Sequence, residues 1–284
     1  MKKFLFLILL NASFLYGFAQ QTQVIKLWPN EVPGETQPKH AAEEYLANKN
    51  GNVHRISNIT DPLLQVFKPT VKANGAAIII CPGGGNKYLA LDIEGEEVAH
   101  YFADRGYLTL VLQYRVPMKT LGSFQDVQRA VRLVRSMASK LEIDSNKIGV
   151  MGFSAGGNLA TRATTGYNKV SYPHIDLVDS VSCRPDFSLL IYPGSMKTQT
   201  GALIPEVVPT EKTPPVFIFA AADDQFKAPF PLGQALIDLK LPFEFHVVPK
   251  GGHGYGLRKG NPAAEAWPKL AESWLGNILI TKSN

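Results

Sequence analysis

The stretch Gly152-Phe153-Ser154-Ala155-Gly156 sets a serine between two glycines, each two residues away. A sharp turn from a strand into a helix needs that spacing, because larger side chains would collide with neighbouring backbone, and such a turn lifts the hydroxyl into the open. A serine at a helix N-terminus also lies beside unpaired N–H groups, so Ala155 N–H can donate to an oxyanion forming next to it. Serine alone is a weak nucleophile and needs a base. Lys250-Gly251-Gly252-His253-Gly254 supplies a histidine whose glycine neighbours let an imidazole approach unobstructed. The other five histidines have poorer addresses: His246 falls within an expected strand, His100 within an expected helix, and His40, His54 and His174 in irregular segments. Asp223-Asp224 supplies the acid that fixes the imidazole tautomer and stabilises the imidazolium. Of the two, Asp224 is favoured because it lies one residue further into the loop that can face His253, which leaves Asp223 to shape the turn. Asp186 precedes its strand and therefore belongs to the opposite edge of a sheet.

A fourth element is Pro82-Gly83-Gly84-Gly85-Asn86. Consecutive glycines leave amide N–H groups unshielded, and Gly84 and Gly85 are expected to complete an oxyanion hole with Ala155. The same loop could cradle a phosphate, but it lacks the Gly-Lys-Ser/Thr ending of a P-loop. The chemistry these residue types can do together is attack of Ser154 on an acyl carbonyl, followed by transfer of the acyl group to water. No H-E-x-x-H sequence, no closely spaced His/Cys/Asp set and no dinucleotide fingerprint occurs, so neither metal nor cofactor is expected.

Such residues must be held by elements that bring four distant turns to one edge. Apolar runs at 76–81, 108–113, 148–153, 187–192, 216–221 and 243–248 alternate with amphipathic stretches. That alternation predicts βαβ units and an α/β fold with a mostly parallel central sheet and helices on both faces. Helices are expected at 95–105, 124–140, 154–164, 231–239 and 263–275; the second carries Val127, Ala130, Val131, Val134 and Met137 at helical spacing. Each catalytic candidate except the helix-borne Ala155 stands in the turn just after one of these strands, at the carboxyl edge where open α/β sheets bind ligands. Residues 20–74 carry turn signals such as Val32-Pro33-Gly34 and a possible strand at 64–67, and are expected to form an irregular N-terminal extension over the core.

At 284 residues, 45% of them hydrophobic, the chain can bury one large core, so residues 20–284 are expected to form a single catalytic domain. Lys2-Lys3, an apolar run to Phe18 and the small residues Gly17 and Ala19 have the pattern of a secretory signal peptide over residues 1–19. The run is short for a bilayer span and is interrupted by Asn11 and Ser13, which disfavours a retained anchor and any stable membrane insertion of the mature chain. The expected location is therefore the periplasm or the extracellular medium. Loss of Lys2 and Lys3 would lower the net charge of +5 to +3, and no basic stripe is present, so a nucleic-acid partner is not expected. Cys81 and Cys183 are too few for a disulfide framework, and Cys81 is expected to be a buried thiol.

With these residues placed, the chain resembles the acetyl xylan esterase-like carbohydrate esterases of the α/β-hydrolase superfamily. The resemblance covers about residues 27–274 and rests on Cys81-Pro82-Gly83-Gly84-Gly85, Glu94-Gly95, Arg129-Ala130-Val131-Arg132, residues 149–157, Arg184-Pro185-Asp186-Phe187 and residues 250–254. It implies that Asp224, the second aspartate of Ala222-Asp223-Asp224, is the acid. It also implies hydrolysis of short acyl esters, such as acetyl groups on xylan or a related polysaccharide or oligosaccharide, with some relatives taking feruloyl esters. The chain departs from the usual pattern at Asn86, where a tyrosine is common, and at Gln225-Phe226-Lys227-Ala228-Pro229, departures that bear on substrate preference. A peptidase or lipase on the same fold would call for a large gating domain or an apolar lid, and the short segment between 192 and 216 leaves little room for a lid. A non-catalytic glycan-binding protein would have no use for a full set of nucleophile, base, acid and oxyanion donors.

Overall fold

The computed structural model describes residues 23–45, 52–226 and 229–280. The expected signal peptide at 1–19 and the pair Lys227-Ala228 lie outside them. In chain order the strands are β1 Gln23–Lys26, β2 Glu43–Glu44, β3 Arg55–Ser57, β4 Leu63–Phe67, β5 Ala77–Cys81, β6 Leu89–Ala90, β7 Leu108–Gln113, β8 Ile148–Phe153, β9 Phe187–Ile191, β10 Val216–Ala221 and β11 Phe243–Val248. The α-helices are α1 Glu97–Ala103, α2 Thr120–Ser136, α3 Ser154–Thr165, α4 Phe230–Asp238 and α5 Pro262–Ile280.

Eight strands form one sheet in the order β1-β4-β7-β5-β8-β9-β10-β11. From β7 to β11 every pairing is parallel, and β4 is antiparallel to both of its neighbours. Strands β5, β8, β9 and β10 are buried at every residue, which is why they read as continuous apolar runs without alternation. Adjacent residues of β8 point to opposite faces: Gly152 lies against Ala160 of α3, and the Phe153 ring lies 5.7 Å from Trp267 of α5. Helices therefore cover both faces. Trp267 also approaches Phe102 of α1, so α1 and α5 share a side.

The strand order reverses about β5, whose sheet neighbours β7 and β8 lie on either side of it. The loops leaving β5 and β8 consequently diverge at the carboxyl edge and open a crevice between them. Into that crevice point the glycine loop after β5 and the serine turn after β8.

The N-terminal segment holds more strand than its pattern predicts. β1 joins the large sheet through β4, and β2, β3 and β6 form a separate three-stranded antiparallel sheet. Strands of two to four residues are too short to display a period of two, so tertiary pairing alone defines them. The first helix also differs from expectation, because a π-helical turn over Asp92–Glu96 precedes α1.

The segment is fastened to α2 by a buried polar cluster. Trp28 Nε1 donates to Asp126 Oδ1 at 2.9 Å, Arg115 Nη1 donates to the Pro33 carbonyl at 2.6 Å, and Arg129 Nε donates to the Leu27 carbonyl at 3.0 Å. Arg115 Nε also donates to both oxygens of Asp126, at 3.1 and 2.9 Å, and both side chains are essentially inaccessible. Removing one member of a buried ion pair strands the other charge, at a cost of about 3–5 kcal/mol. Arg115→Ala is therefore expected to lose stability of that order in urea unfolding, whereas a loss below about 1 kcal/mol would mean that Asp126 finds water or another partner.

Candidate active site

The turn after β8 is tight because three backbones meet there. A Cβ on Gly152 would lie 2.1 Å from the Gly156 carbonyl oxygen, and one on Gly156 would lie 2.0 Å from the Cys81 carbonyl oxygen. No larger residue fits at either position. Ser154 itself has φ 51°, a left-handed conformation that costs a non-glycine residue of order 1 kcal/mol or more. That conformation separates the serine from the run of β8 and starts α3, leaving Ala155 N–H in the first helical turn, where no helical carbonyl reaches it.

Ser154 Oγ lies 2.7 Å from His253 Nε2, and His253 Nδ1 lies 2.8 Å from Asp224 Oδ2. An ionised carboxylate only accepts hydrogen bonds, so Nδ1 carries the proton toward Asp224 and Nε2 is left to accept the serine O–H. Asp224 is 3% exposed, and its other oxygen accepts the Phe226 N–H at 2.9 Å, which fixes the carboxylate plane. Its neighbour Asp223 faces elsewhere: its Oδ1 accepts the N–H groups of Gly251 and Gly252 at 3.0 and 2.8 Å and anchors the loop that carries the imidazole. The Phe226 and Tyr192 rings meet the imidazole edge-on at centroid distances of 4.6 and 5.0 Å.

The glycine loop packs directly on this turn. A Cβ on Gly83 would sit 2.7 Å from the Phe153 carbonyl oxygen and 2.9 Å from Ser154 Cβ. Gly84 has φ 138°, and a Cβ there would lie 1.9 Å from the Tyr88 carbonyl oxygen. Gly84 and Gly85 line the same cleft as Ser154 and His253, a space of about 230 Å³ to which Val53 and Arg55 of the N-terminal segment add one wall. A larger cavity of about 330 Å³, lined by Pro69, Gly106 and Leu141 among others, lies at the opposite edge of the sheet and holds neither serine nor histidine.

All six residues singled out from the sequence, Ser154, Asp224, His253, Gly84, Gly85 and Ala155, thus fall at one edge. The residues set aside stay away from it. Asp186 Oδ2 accepts from Arg135 at 2.8 Å and from the Ile148 N–H at 3.0 Å, at the far end of β8. His246 bonds Glu244 on its own strand, and His54 pairs with Glu44. Cys81 and Cys183 are both buried free thiols. Among the described residues, no group of three or more His, Cys, Asp or Glu side chains could hold a metal ion, and no helix is long and apolar enough to cross a membrane.

Glu94 has no catalytic role implied by the sequence pattern in which it stands beside Gly95. The structure buries it at 3% exposure below the cleft, where Oε2 accepts the Gly83 N–H at 2.8 Å and Oε1 accepts the Tyr192 hydroxyl at 2.8 Å. The Tyr192 oxygen in turn accepts the Gly256 N–H at 3.0 Å. One carboxylate therefore joins the glycine loop to the loop that follows His253. Nothing local in the sequence signals this, because residues 83, 94, 192 and 256 meet only in three dimensions. Burial pushes the Glu94 carboxyl above its ordinary pKa, against the hydrogen bonds from Tyr192 and Gly83 and the attraction of His253. A carboxyl whose pKa is higher folded than unfolded stabilises the fold most below its unfolded value of about 4.3, and that contribution is lost as pH rises through the folded value. The stability of the wild type relative to Glu94→Gln is accordingly expected to fall as pH rises above about 4.3 in denaturant titrations, and a difference constant with pH would contradict the shift.

Residues 64–181 match the family described as BD-FAE. The chain is 31% identical over 205 residues to the endo-1,4-beta-xylanase B of Butyrivibrio fibrisolvens, an alignment that covers 62% of this chain and 32% of that protein. It is 29% identical over 203 residues to the acetylxylan esterase of Xylanibacter ruminicola, covering 65% of this chain and 42% of that one. The chain thus spans well under half the length of these two relatives. The crystal structure of an acetyl ester-xyloside bifunctional hydrolase from Caldicellulosiruptor lactoaceticus superposes with a TM-score of 0.75 at 31% identity, over 92% of this chain and 98% of that one. Sheet order, serine turn and likeness over nearly the whole of a solved relative agree: the chain belongs to the BD-FAE family of α/β-hydrolases.

Proposed function

We propose that this protein is an exported serine carboxylesterase that removes short acyl groups, acetyl above all, from xylan or a related polysaccharide, with residues 20–284 as the catalytic unit. The observation that carries the reading is the continuous chain from the Ser154 hydroxyl through His253 to Asp224, at 2.7 and 2.8 Å, facing a glycine loop across a small cleft. His253 Nε2 takes the proton as Ser154 Oγ attacks the ester carbonyl, and the imidazolium is held by Asp224. The oxyanion rests on N–H groups of Ala155 and of Gly84 or Gly85, each donor contributing about 3 kcal/mol to the transition state. The sugar hydroxyl leaves with the proton from His253. Water, deprotonated by the same nitrogen, then attacks the acyl-enzyme and releases the free acid.

A cleft of about 230 Å³ suits a short acyl group better than an extended one. Support for the glycan comes from the acetylxylan esterase and the acetyl ester-xyloside hydrolase to which the chain is similar. The pattern of residues 1–19 supports export.

Ser154→Ala is expected to lower turnover of p-nitrophenyl acetate on the order of a million-fold and to abolish labelling by a fluorophosphonate. Asp224→Asn is expected to lose about 10⁴-fold. Asp223→Asn, which keeps an oxygen acceptor for Gly251 and Gly252, should lose far less. Near-normal turnover in the serine variant would remove the assignment, and failure of the wild type to release acetate from acetylated xylan would remove the substrate.

A further inference from the structure

Arg55 stands apart from the other eight arginines of the chain. Each of those donates to an acceptor of the protein, as Arg115 does to Asp126, Arg135 to Asp186, and Arg162 to the Thr120 carbonyl. Among the described residues the Arg55 side chain has no hydrogen-bond acceptor and no carboxylate within 4.0 Å, and its Nε is buried without a partner. Every Asp and Glu of the sequence lies within the described residues, so none elsewhere in the chain is left to neutralise it. The unpaired arginine is also the one that lines the cleft holding Ser154 and His253.

Its position is set. Arg55 lies on β3, in register with Ala90 of β6, and the Ala90 N–H bonds the Gly83 carbonyl at 2.9 Å at the start of the glycine loop. The guanidinium stands 5.3 Å from the centroid of the Tyr88 ring, which is itself stacked on Tyr45 at 4.8 Å. The carboxyl group that lines the cleft, Glu94, is already committed to the Gly83 N–H and the Tyr192 hydroxyl. A partly buried guanidinium without a counter-charge is costly to hold, and its planar fork of donors matches a carboxylate.

We propose that Arg55 is an anion-binding residue of the cleft, and that the protein selects esters whose substrate carries a carboxylate close to the acyl group being removed. The carboxylate can belong to the sugar side, as a uronic acid beside the acylated residue, or to the acyl side, as the free end of a dicarboxylic half-ester. This proposal rests on the esterase reading above and concerns the same cleft. Arg55 precedes residues 64–181, the stretch that matches the family.

The experiment measures kcat/KM ratios within each protein, so that a general loss of activity cancels. One arm compares acetylated xylo-oligosaccharides with and without a glucuronic acid branch; the other compares p-nitrophenyl monosuccinate with p-nitrophenyl butyrate. The wild type is expected to favour the anionic member in one arm by about tenfold or more, through KM. That preference should shrink as ionic strength rises. Arg55→Met should bring the ratio to about one or below, and Arg55→Lys, which keeps the charge without the fork, should retain part of it. Which arm responds identifies the side on which the carboxylate sits. If wild type and Arg55→Met hydrolyse both members with the same ratio in both arms, the proposal is overturned while the esterase reading stands. If the wild type hydrolyses none of the four, the esterase reading itself has failed.

Discussion

The close approach of two backbones, the turn after β5 and the turn after β8, is the constraint on which the rest of the site depends. Gly156 lies where a Cβ would be 2.0 Å from the Cys81 carbonyl oxygen, and Gly83 lies where one would be 2.9 Å from Ser154 Cβ. Parallel neighbours whose connections run to opposite sides leave a crevice at their carboxyl ends, and glycines let the two loops close it to contact distance. The left-handed backbone of Ser154 is tolerable only because the fully buried β8 and the packed α3 hold both of its flanks. The packing of the two turns thereby holds the Ser154 hydroxyl and the neighbouring amide N–H groups in fixed positions.

Three carboxylates around this crevice have separate physical jobs, decided by what each faces. Asp224 meets the imidazole, Asp223 meets two amides of the loop carrying it, and Glu94 meets the glycine loop and Tyr192. The partner of the imidazole and the loop anchor are adjacent in sequence because consecutive residues of a turn point in different directions. Glu94 acts at longer range: through Tyr192 it ties the glycine loop to the loop after His253. Its burial makes that tie sensitive to protonation, whereas Asp223 works at the surface, where water can substitute for either partner.

The N-terminal segment bears on the site in a way its irregular pattern conceals. Its attachment through Trp28, Pro33 and Leu27 to the buried Arg115, Asp126 and Arg129 is polar and specific rather than merely apolar. Pairing with β6 holds β3 at the cleft, where Val53 and Arg55 complete a wall the central sheet does not provide. Ser154 and His253 are thus placed by turns that follow strands of the large sheet, and one wall of their cleft comes from the segment before it.

The serine turn, the glycine loop, the histidine and the positions of the parallel strands along the chain were legible in the sequence because each is a local matter. Continuous apolar runs mark strands buried on both faces, and glycines at fixed offsets mark turns that admit nothing larger. Position in the loop already favoured Asp224 over Asp223, but their actual division of labour appears only when the 223–226 turn meets the 251–253 loop. The two-residue strands β2 and β6, the bridge from Glu94 to Gly83 and Tyr192, and the unpaired Arg55 in the cleft could not be read in advance. Each depends on groups brought together from far apart along the chain, and no periodicity or spacing encodes which distant partner a side chain will find, or that it will find none.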